Sequence, residues 1–211
     1  MESRKLLKNG KPRGKLTKKD ITKMSVLSFL EQASFSFERM QAPGFTLSML
    51  PAAEKIFGDS KEDMAEFMTY NMEFINTEPH MATFLMGLIL SMEEHGEDRK
   101  LIEGIRNGLF GPFAGLGDAI FWFTVLPISA AICCSLAQDG SILGPLLYIG
   151  IWIVAAISRI WFGSFGYKLG VKAVSTISEG TKYITKAAGI LGVMVVGGLI
   201  PSYISLAFSE S

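Results

Sequence analysis

Long runs of apolar residues dominate the second half of this chain and limit what it can fold into. Residues 118–137 carry no charge after Asp118, and an α-helix of about 20 residues crosses the hydrocarbon core of a bilayer. Residues 142–163 and 187–208 form two further runs of this kind. The whole chain of 211 residues is 49% hydrophobic, which also favours a membrane protein. We therefore predict an all-α, polytopic membrane protein with about three transmembrane helices.

Single residues within these runs indicate how the helices bend and pack. Pro127 predicts a kink in the first run. Arg159 lies near one end of the second run, where its side chain would reach the membrane interface. The adjacent Cys133 and Cys134 are best interpreted as small core residues. The third run contains small residues that permit close helix contact, namely Gly189, Gly192, Gly197 and Gly198.

Positive charge is concentrated at the start of the chain. Of the 20 Lys and Arg residues, nine fall within residues 1–23, against two acidic residues there. Such a segment can bind nucleic acid or anionic lipid, but beside long apolar segments it is most simply a cytoplasmic topology signal. It lacks the apolar run of a signal peptide. We expect a multi-pass membrane protein whose N-terminus faces the cytoplasm.

The first half of the chain shows helical periodicity interleaved with charge. One apolar stripe follows a loose capping signal at Thr17 and Asp20, and "APGF", residues 42–45, is expected to end its helix. The members of this stripe are Val26, Leu30, Ala33, Phe37 and Met40. A second stripe follows Ser60, a plausible cap. Its members are Met64, Phe67, Met68, Met72 and Ile75. Twelve acids within residues 54–103 argue against a nucleic-acid partner, so both helices are expected to lie on other helices or on the membrane surface.

The segment "NTEPHMATFLMGLILSMEE", residues 76–94, has an apolar part too short to span a bilayer. That length is typical of a buried or re-entrant helix. Pro79 suits its first turn, with Thr77 or Glu78 near the cap. Polar residues that open a half-length helix can hold a substrate at membrane depth, and ordinary capping at the interface is an equal alternative. His80 is expected to be a structural histidine, and His95 a solvated loop residue.

The glycine-rich stretch "GPFAGLGDAIFW", residues 111–122, fits neither common nucleotide motif. It lacks the Gly-Lys of a phosphate-binding loop and the third glycine of the dinucleotide fingerprint. The carboxylate of Asp118 would also repel phosphate at a helix N-terminus. We predict instead a hinge or re-entrant turn formed by Gly111, Gly115, Gly117 and Asp118.

Three motifs together resemble a known family. "FLEQASFSFERMQAPGF", "NTEPHMATFLMG" and "GPFAGLGDAIFW" are similar to hallmarks of the IID component of the mannose, fructose and sorbose family of bacterial phosphotransferase systems. The resemblance runs from about Leu16 to the last span. Family members usually continue with a further hydrophobic C-terminal portion, whereas this chain stops at "SES", so the resemblance implies a C-terminally shortened member.

The resemblance implies a multi-pass subunit of the bacterial cytoplasmic membrane that forms a sugar pathway with a IIC membrane subunit, within the lipid bilayer and in a higher oligomer. IIA and IIB subunits would phosphorylate the hexose, ketose or amino sugar at the cytoplasmic side. The phosphorylatable histidines of the family lie on other subunits. In agreement, no nucleophile–base pair or metal-binding spacing stands out, so we expect no catalytic residue, cofactor or metal in this chain.

Sugar hydroxyls would be bound by amide and carboxylate groups. We expect Asn76, Thr77 and Glu78 to contact substrate. A second cluster near the first stripe comprises Gln32, Glu38 and Gln41, and from it Gln32 and Glu38 are expected to line or support the pathway. The alternative is that Glu38 pairs with a basic residue such as Arg39 and that Gln32 packs at a subunit interface.

The predicted organisation has three parts. Residues 1–23 form a basic cytoplasmic segment, residues 24–110 an amphipathic and re-entrant helical region, and residues 111–211 a transmembrane region. The alternative function is a non-transporting membrane scaffold or receptor, and a soluble enzyme is the third interpretation.

Overall fold

The computed structural model describes residues 6–170 and residue 208. Within these residues the chain is helical, without strands apart from isolated bridges at Met40. The helices are α1 (Lys18–Leu27), a 3₁₀ helix (Ser28–Ser34), α2 (Ala42–Phe57), α3 (Lys61–Asn71), α4 (Pro79–His95), α5 (Arg99–Ile120), a π-helix (Phe121–Val125), α6 (Leu126–Gln138) and α7 (Leu143–Gly170). The all-α prediction therefore agrees with the described part of the chain.

Helix α4 is the centre of the fold. Every residue from His80 to Glu94 is buried. Helices α2 and α5 and the 3₁₀ helix pack around it, and glycines of α7 contact it. This burial confirms the expectation of a buried helix over the segment that is too short to span.

Among the described residues, two helices are long and apolar enough to cross a membrane. One is continuous from Arg99 to Gln138 and the other runs from Leu143 to Gly170. Most of their apolar side chains point away from the protein, as expected for helices that face lipid or another membrane subunit. The first span begins well before the predicted start at Asp118, and it crosses the predicted regional boundary at residue 110. The third predicted span, residues 187–208, lies almost entirely outside the described residues.

The glycine-rich stretch, for which a hinge or re-entrant turn was predicted, is helical in the structure. Residues 111–120 are α-helical, and the irregularity comes directly afterwards, in the π-helix Phe121–Val125. Pro127 has no N–H and its ring would crowd the carbonyl of Phe123 in an α-helix. A wider turn, in which the N–H of Leu126 donates to the carbonyl of Phe121, precedes it. A π-helical turn thus lies directly before Pro127, where a kink was predicted.

The first amphipathic helix ends earlier than predicted. Helix α1 stops at Leu27, and "APGF" opens α2, with Pro43 in its first turn. The predicted apolar stripe is not the core face, since Val26, Leu30 and Phe37 are 50%, 64% and 92% exposed. The buried face of α1 carries Ile21, Met24 and Ser25 instead. A list of apolar positions at helical spacing does not say which face meets the core.

The two predicted helix starts and part of the second stripe agree with the structure, whereas the prediction for His95 does not. Thr17 and Asp20 form a capping box, and the N–H of Thr17 lies 2.6 Å from the Asp20 carboxylate. Ser60 is the N-cap of α3, and Phe67 and Ile75 of the second stripe are buried. His95 is not the predicted loop residue, because it is the last residue of α4 and its Nδ1 lies 2.7 Å from the carbonyl oxygen of Ser91.

Basic residues of the N-terminal segment pair with the acidic residues of α3 and α4. The N–H of Lys8 donates to Asp63 at 2.9 Å, and the guanidinium of Arg13 lies 3.3 Å from the fully buried Glu93. Arg99 contacts Glu93 from the other side at 3.4 Å. Burial raises the pKa of Glu93, and Arg99 and Arg13 oppose that rise. These contacts fasten the start of the chain to the helical bundle.

Candidate functional site

The N-terminus of α4 is capped by a buried carboxylate. Glu78 has extended backbone angles, φ −68° and ψ 138°, and its Oε2 accepts hydrogen bonds from the N–H groups of His80 (2.8 Å) and Met81 (3.2 Å). Pro79 occupies the first turn, where no N–H is required. The side chain of Glu78 is 1% exposed. The predicted cap is therefore confirmed.

His80 connects this cap to both apolar spans. Its Nδ1 lies 2.7 Å from Oε1 of Glu78, and its Nε2 lies 2.9 Å from the carbonyl oxygen of Ala155 in α7. Its ring stacks on Phe121, the first residue of the π-helix, with 3.8 Å between centroids and 4° between planes. One turn before Phe121, Gly117 lies so close to Glu78 that a Cβ at this position would overlap the glutamate side chain. The expectation of a satisfied structural histidine agrees with these contacts.

Gln41 and Thr77 hold the residues before the cap. The amide nitrogen of Gln41 donates to the carbonyl of Thr77 at 2.8 Å, and its amide oxygen accepts from the N–H of Thr77 at 2.9 Å. This pair joins the turn before α2 to the turn before α4. The hydroxyl of Thr77 is buried and has no hydrogen-bond partner among the described residues. We call Gln41, Thr77, Glu78 and His80 the α4 cap site.

The structure places the predicted sugar-binding residues in two different environments. Thr77 and Glu78 belong to the α4 cap site, and Asn76, directly before them, is exposed. Gln32 and Glu38 are also exposed and do not join this site. Gln41, from the same sequence cluster, does join it. Of the predicted hinge residues, Gly117 contacts the cap directly, and Asp118 interacts electrostatically with Glu78.

A second polar cluster lies beside the cap site, and sequence reasoning missed its partners. Arg159 of α7 is only 8% exposed, so it does not reach the membrane interface as predicted. Its Nη2 lies 3.0 Å from Oε2 of Glu31, its Nε donates to the hydroxyl of Thr83 at 3.0 Å, and it also bonds the carbonyl of Ser28. An arginine in an apolar run requires a buried acceptor, and this rule was the signal that a partner such as Glu31 existed.

Glu31 has an unusual environment for a carboxylic acid. Burial raises its pKa to about 8, and the nearby Glu78 adds to the rise, whereas Arg159 opposes it. Its Oε1 has no hydrogen-bond partner in the described part of the chain. The two clusters are thus coupled electrostatically across the interior.

The chemistry available at the α4 cap site is hydrogen bonding. Amide, hydroxyl and carboxylate groups meet there within an apolar surrounding, a combination that suits recognition of a neutral polyhydroxylated ligand. Among the described residues, His, Cys, Asp and Glu side chains do not gather in groups of three that could hold a metal ion.

Comparison with known proteins identifies the family. The model of the mannose/fructose/sorbose family IID component of phosphotransferase systems matches residues 15–211. The chain is 38% identical to the mannose-specific EIID component of Escherichia coli K12 over 193 residues, which cover 88% of this chain and 68% of that protein. It is 36% identical to the fructose permease IID component of Bacillus subtilis over 199 residues, or 91% and 72% of the two chains.

A solved structure shows the same fold. The cryo-EM structure of the mannose transporter ManYZ in complex with microcin E492 contains a chain that matches with a TM-score of 0.82 and 39% identity, over 89% of this chain and 71% of that one. Together with the two apolar spans, these matches show that this chain is a membrane protein of sugar transport and belongs to the IID component family of the mannose, fructose and sorbose phosphotransferase systems.

Proposed function

We propose that this chain is the IID membrane subunit of a phosphotransferase-system transporter in the cytoplasmic membrane of a bacterium. It forms the sugar pathway together with a IIC subunit, while IIA and IIB subunits phosphorylate the incoming sugar. Its N-terminus lies in the cytoplasm, in accordance with the basic residues 1–23. The solved structure that matches this fold is described as the mannose transporter ManYZ, and this description supports a second membrane subunit.

One observation carries this proposal: the polar α4 cap contacts both apolar spans within their apolar runs. His80 contacts Ala155, which is roughly 18 Å along α7 from Leu143 at 1.5 Å per residue. It also stacks on Phe121, which belongs to the run of residues 118–137 that carries no charge after Asp118. A helix that begins with polar groups between apolar spans is an arrangement by which transporters bind substrates. A purely scaffolding protein does not require it.

Within the cap we propose that the segment Asn76–Glu78 faces the sugar. The exposed amide of Asn76 and the unpartnered hydroxyl of Thr77 are the groups with free hydrogen-bonding capacity. Glu78 uses three of its acceptor positions within the protein, so its contribution is to orient this segment. Because Gln32 and Glu38 are exposed in this chain, any sugar that they contact is shared with the partner subunit.

The test is uptake and phosphorylation of a panel of labelled hexoses, ketoses and amino sugars in cells that carry the IIC, IIA and IIB partners. Phosphorylated sugar should appear only when this chain is present. If none appears although the chain is in the membrane, the transporter proposal is wrong and the scaffold or receptor alternative gains support.

Thr77→Val isolates the sugar contact. Valine keeps the shape of threonine, and the lost hydroxyl has no partner within the described protein, so folding should not suffer. Loss of a neutral hydrogen bond to sugar should raise KM about two- to tenfold. The matched control is Thr69→Val on α3, whose exposed hydroxyl bonds only the carbonyl of Ala65 in its own helix. Equal KM values for both variants would remove Thr77 from the pathway.

A further inference from the structure

The two ring nitrogens of His80 both face hydrogen-bond acceptors. A backbone carbonyl oxygen only accepts, so the Nε2 that lies 2.9 Å from the Ala155 oxygen must carry a proton. The Nδ1 lies 2.7 Å from Oε1 of Glu78. One more proton lies between these two atoms, and it belongs either to the imidazole or to the carboxyl group.

The surroundings of Glu78 place this proton on the imidazole. Its other oxygen accepts two backbone N–H groups at the N-terminus of α4, where both the hydrogen bonds and the helix dipole stabilise a negative charge. The His80 ring lies flat against the face of Phe121, and the negative face of an aromatic ring favours a cation. A neutral histidine beside a protonated glutamate would give up both of these interactions.

The charged groups on the neighbouring elements are compatible with this state. Glu31 of the 3₁₀ helix has Arg159 of α7 as its own partner. Asp118 of α5 and Glu31 are the other carboxyl groups that interact electrostatically with Glu78. Arg159 is a cation that also interacts with Glu78. An imidazolium at position 80 therefore neutralises Glu78 within a region that holds three carboxyl groups.

We propose that His80 is an imidazolium that acts as the positioning residue of the sugar pathway. Through Glu78 it holds the Asn76–Glu78 segment, through Nε2 it holds α7 at Ala155, and through its ring it holds the π-helix at Phe121. The positioning role rests on the proposed transport function, whereas the protonation state does not.

The protonation state can be measured without transport. The chain has two histidines, so His95→Gln leaves His80 as the single imidazole. Nitrogen-15 NMR of ¹⁵N-histidine in this variant, reconstituted in lipid at neutral pH, should show both ring nitrogens protonated. Adding Glu78→Gln should remove the proton from Nδ1, because an amide can donate to that nitrogen. A neutral ring without the Glu78 change, or a doubly protonated ring with it, would overturn the assignment.

A transport assay distinguishes a positioning role of His80 from simple structural support. His80→Ala removes all three contacts, and the KM for sugar per assembled transporter should rise by about tenfold or more, since small displacements of binding groups are costly. Glu78→Gln keeps a neutral tie and should raise KM less. The control is His95→Gln, which lies outside the cap site and should transport normally.

The outcomes are distinguishable. An unchanged KM for His80→Ala, or a loss of assembled transporter with normal KM in what remains, would disprove the positioning role. If the wild-type protein transports no sugar together with its partner subunits, the proposed function is wrong. The NMR result still decides whether His80 is an imidazolium.

Discussion

The guanidinium of Arg159 lies 3.0 Å from the carboxyl oxygen of Glu31, which precedes it by 128 residues, and both side chains are buried. The same arginine bonds Thr83 in α4 and Ser28 in the 3₁₀ helix. One charged residue of an apolar span therefore joins α7 to α4 and to the 3₁₀ helix. This role explains why a charge is kept in a helix that otherwise faces lipid.

Arg159→Met should destabilise the protein strongly. It removes three hydrogen bonds from a charged donor and leaves Glu31 without its partner, at a cost on the order of 3 kcal/mol. Thermal unfolding in detergent measures the loss. Lys11→Met is the matched control, because the Lys11–Asp59 pair at 2.7 Å is 61% and 84% exposed and should contribute little. Similar unfolding temperatures for the two variants would contradict this account.

Glu31 should make stability depend on pH above the acid range. Burial raises its folded-state pKa to about 8, above the ordinary 4.5, so the folded protein binds this proton more tightly than the unfolded chain. Its contribution is therefore complete below about pH 4.5 and is lost as pH rises towards 8. Unfolding measured between pH 5 and 8 should show a decline that Glu31→Gln abolishes. A decline of equal size in that variant would assign it to other groups.

Asp20 should act in the opposite direction at low pH. Burial alone would raise its pKa, but hydrogen bonds from Lys55 and Thr17 lower the pKa of this carboxylate to about 2, below the ordinary 3.8. The stability that it contributes is present above pH 3.8 and is lost as pH falls through 2. Asp20→Asn should reduce stability at neutral pH and make the acid transition shallower. An acid transition of unchanged steepness would show that the capping box is not its source.

Close contact between α4 and α7 should not tolerate a methyl group. A Cβ at Gly166 would overlap the carbonyl oxygen of Phe84, so Gly166→Ala should force the helices apart and destabilise the protein by about 1–3 kcal/mol. Gly108→Ala in α5 is the control, since a Cβ there meets open space and alanine favours a helix. Thermal unfolding of both variants measures the difference. Wild-type stability of the Gly166→Ala protein would argue against tight packing where α4 and α7 cross.

The glycines of the stretch 111–118 should differ in their functional effect. A Cβ at Gly117 would overlap Glu78 and displace the α4 cap, so Gly117→Ala should lower sugar uptake per assembled transporter. A Cβ at Gly111 meets open space, so Gly111→Ala should transport normally. If instead both glycines act as a hinge, both variants should lose uptake in the same assay.

Local features of this fold were predictable from sequence because neighbouring residues create them. The capping box at Thr17 and Asp20 and the cap of α4 both depend on side chains within three residues of a free N–H. The apolar spans were also predictable, since their length follows from bilayer thickness. The family motifs pointed to the same architecture.

Predictions failed where the outcome depended on what a segment packs against. "APGF" has the composition of a helix end, yet Pro43 serves equally well in a first turn, and α2 begins there. The glycines of residues 111–117 looked flexible, but an apolar environment favours satisfied backbone hydrogen bonds, and the stretch is helical. Val26 and Leu30 have helical spacing, although their face is left uncovered.

Hydropathy and helix capping are short-range properties, so the amino-acid sequence was enough to predict a helical membrane protein with a buried helix capped by polar residues. The contacts of Gln41 with Thr77, of Arg159 with Glu31 and of His80 with both spans are visible only in the folded protein. These contacts join residues 36, 128 and 75 positions apart. Such pairings arise because buried polar groups must find partners wherever packing brings them, and packing is a property of the whole chain.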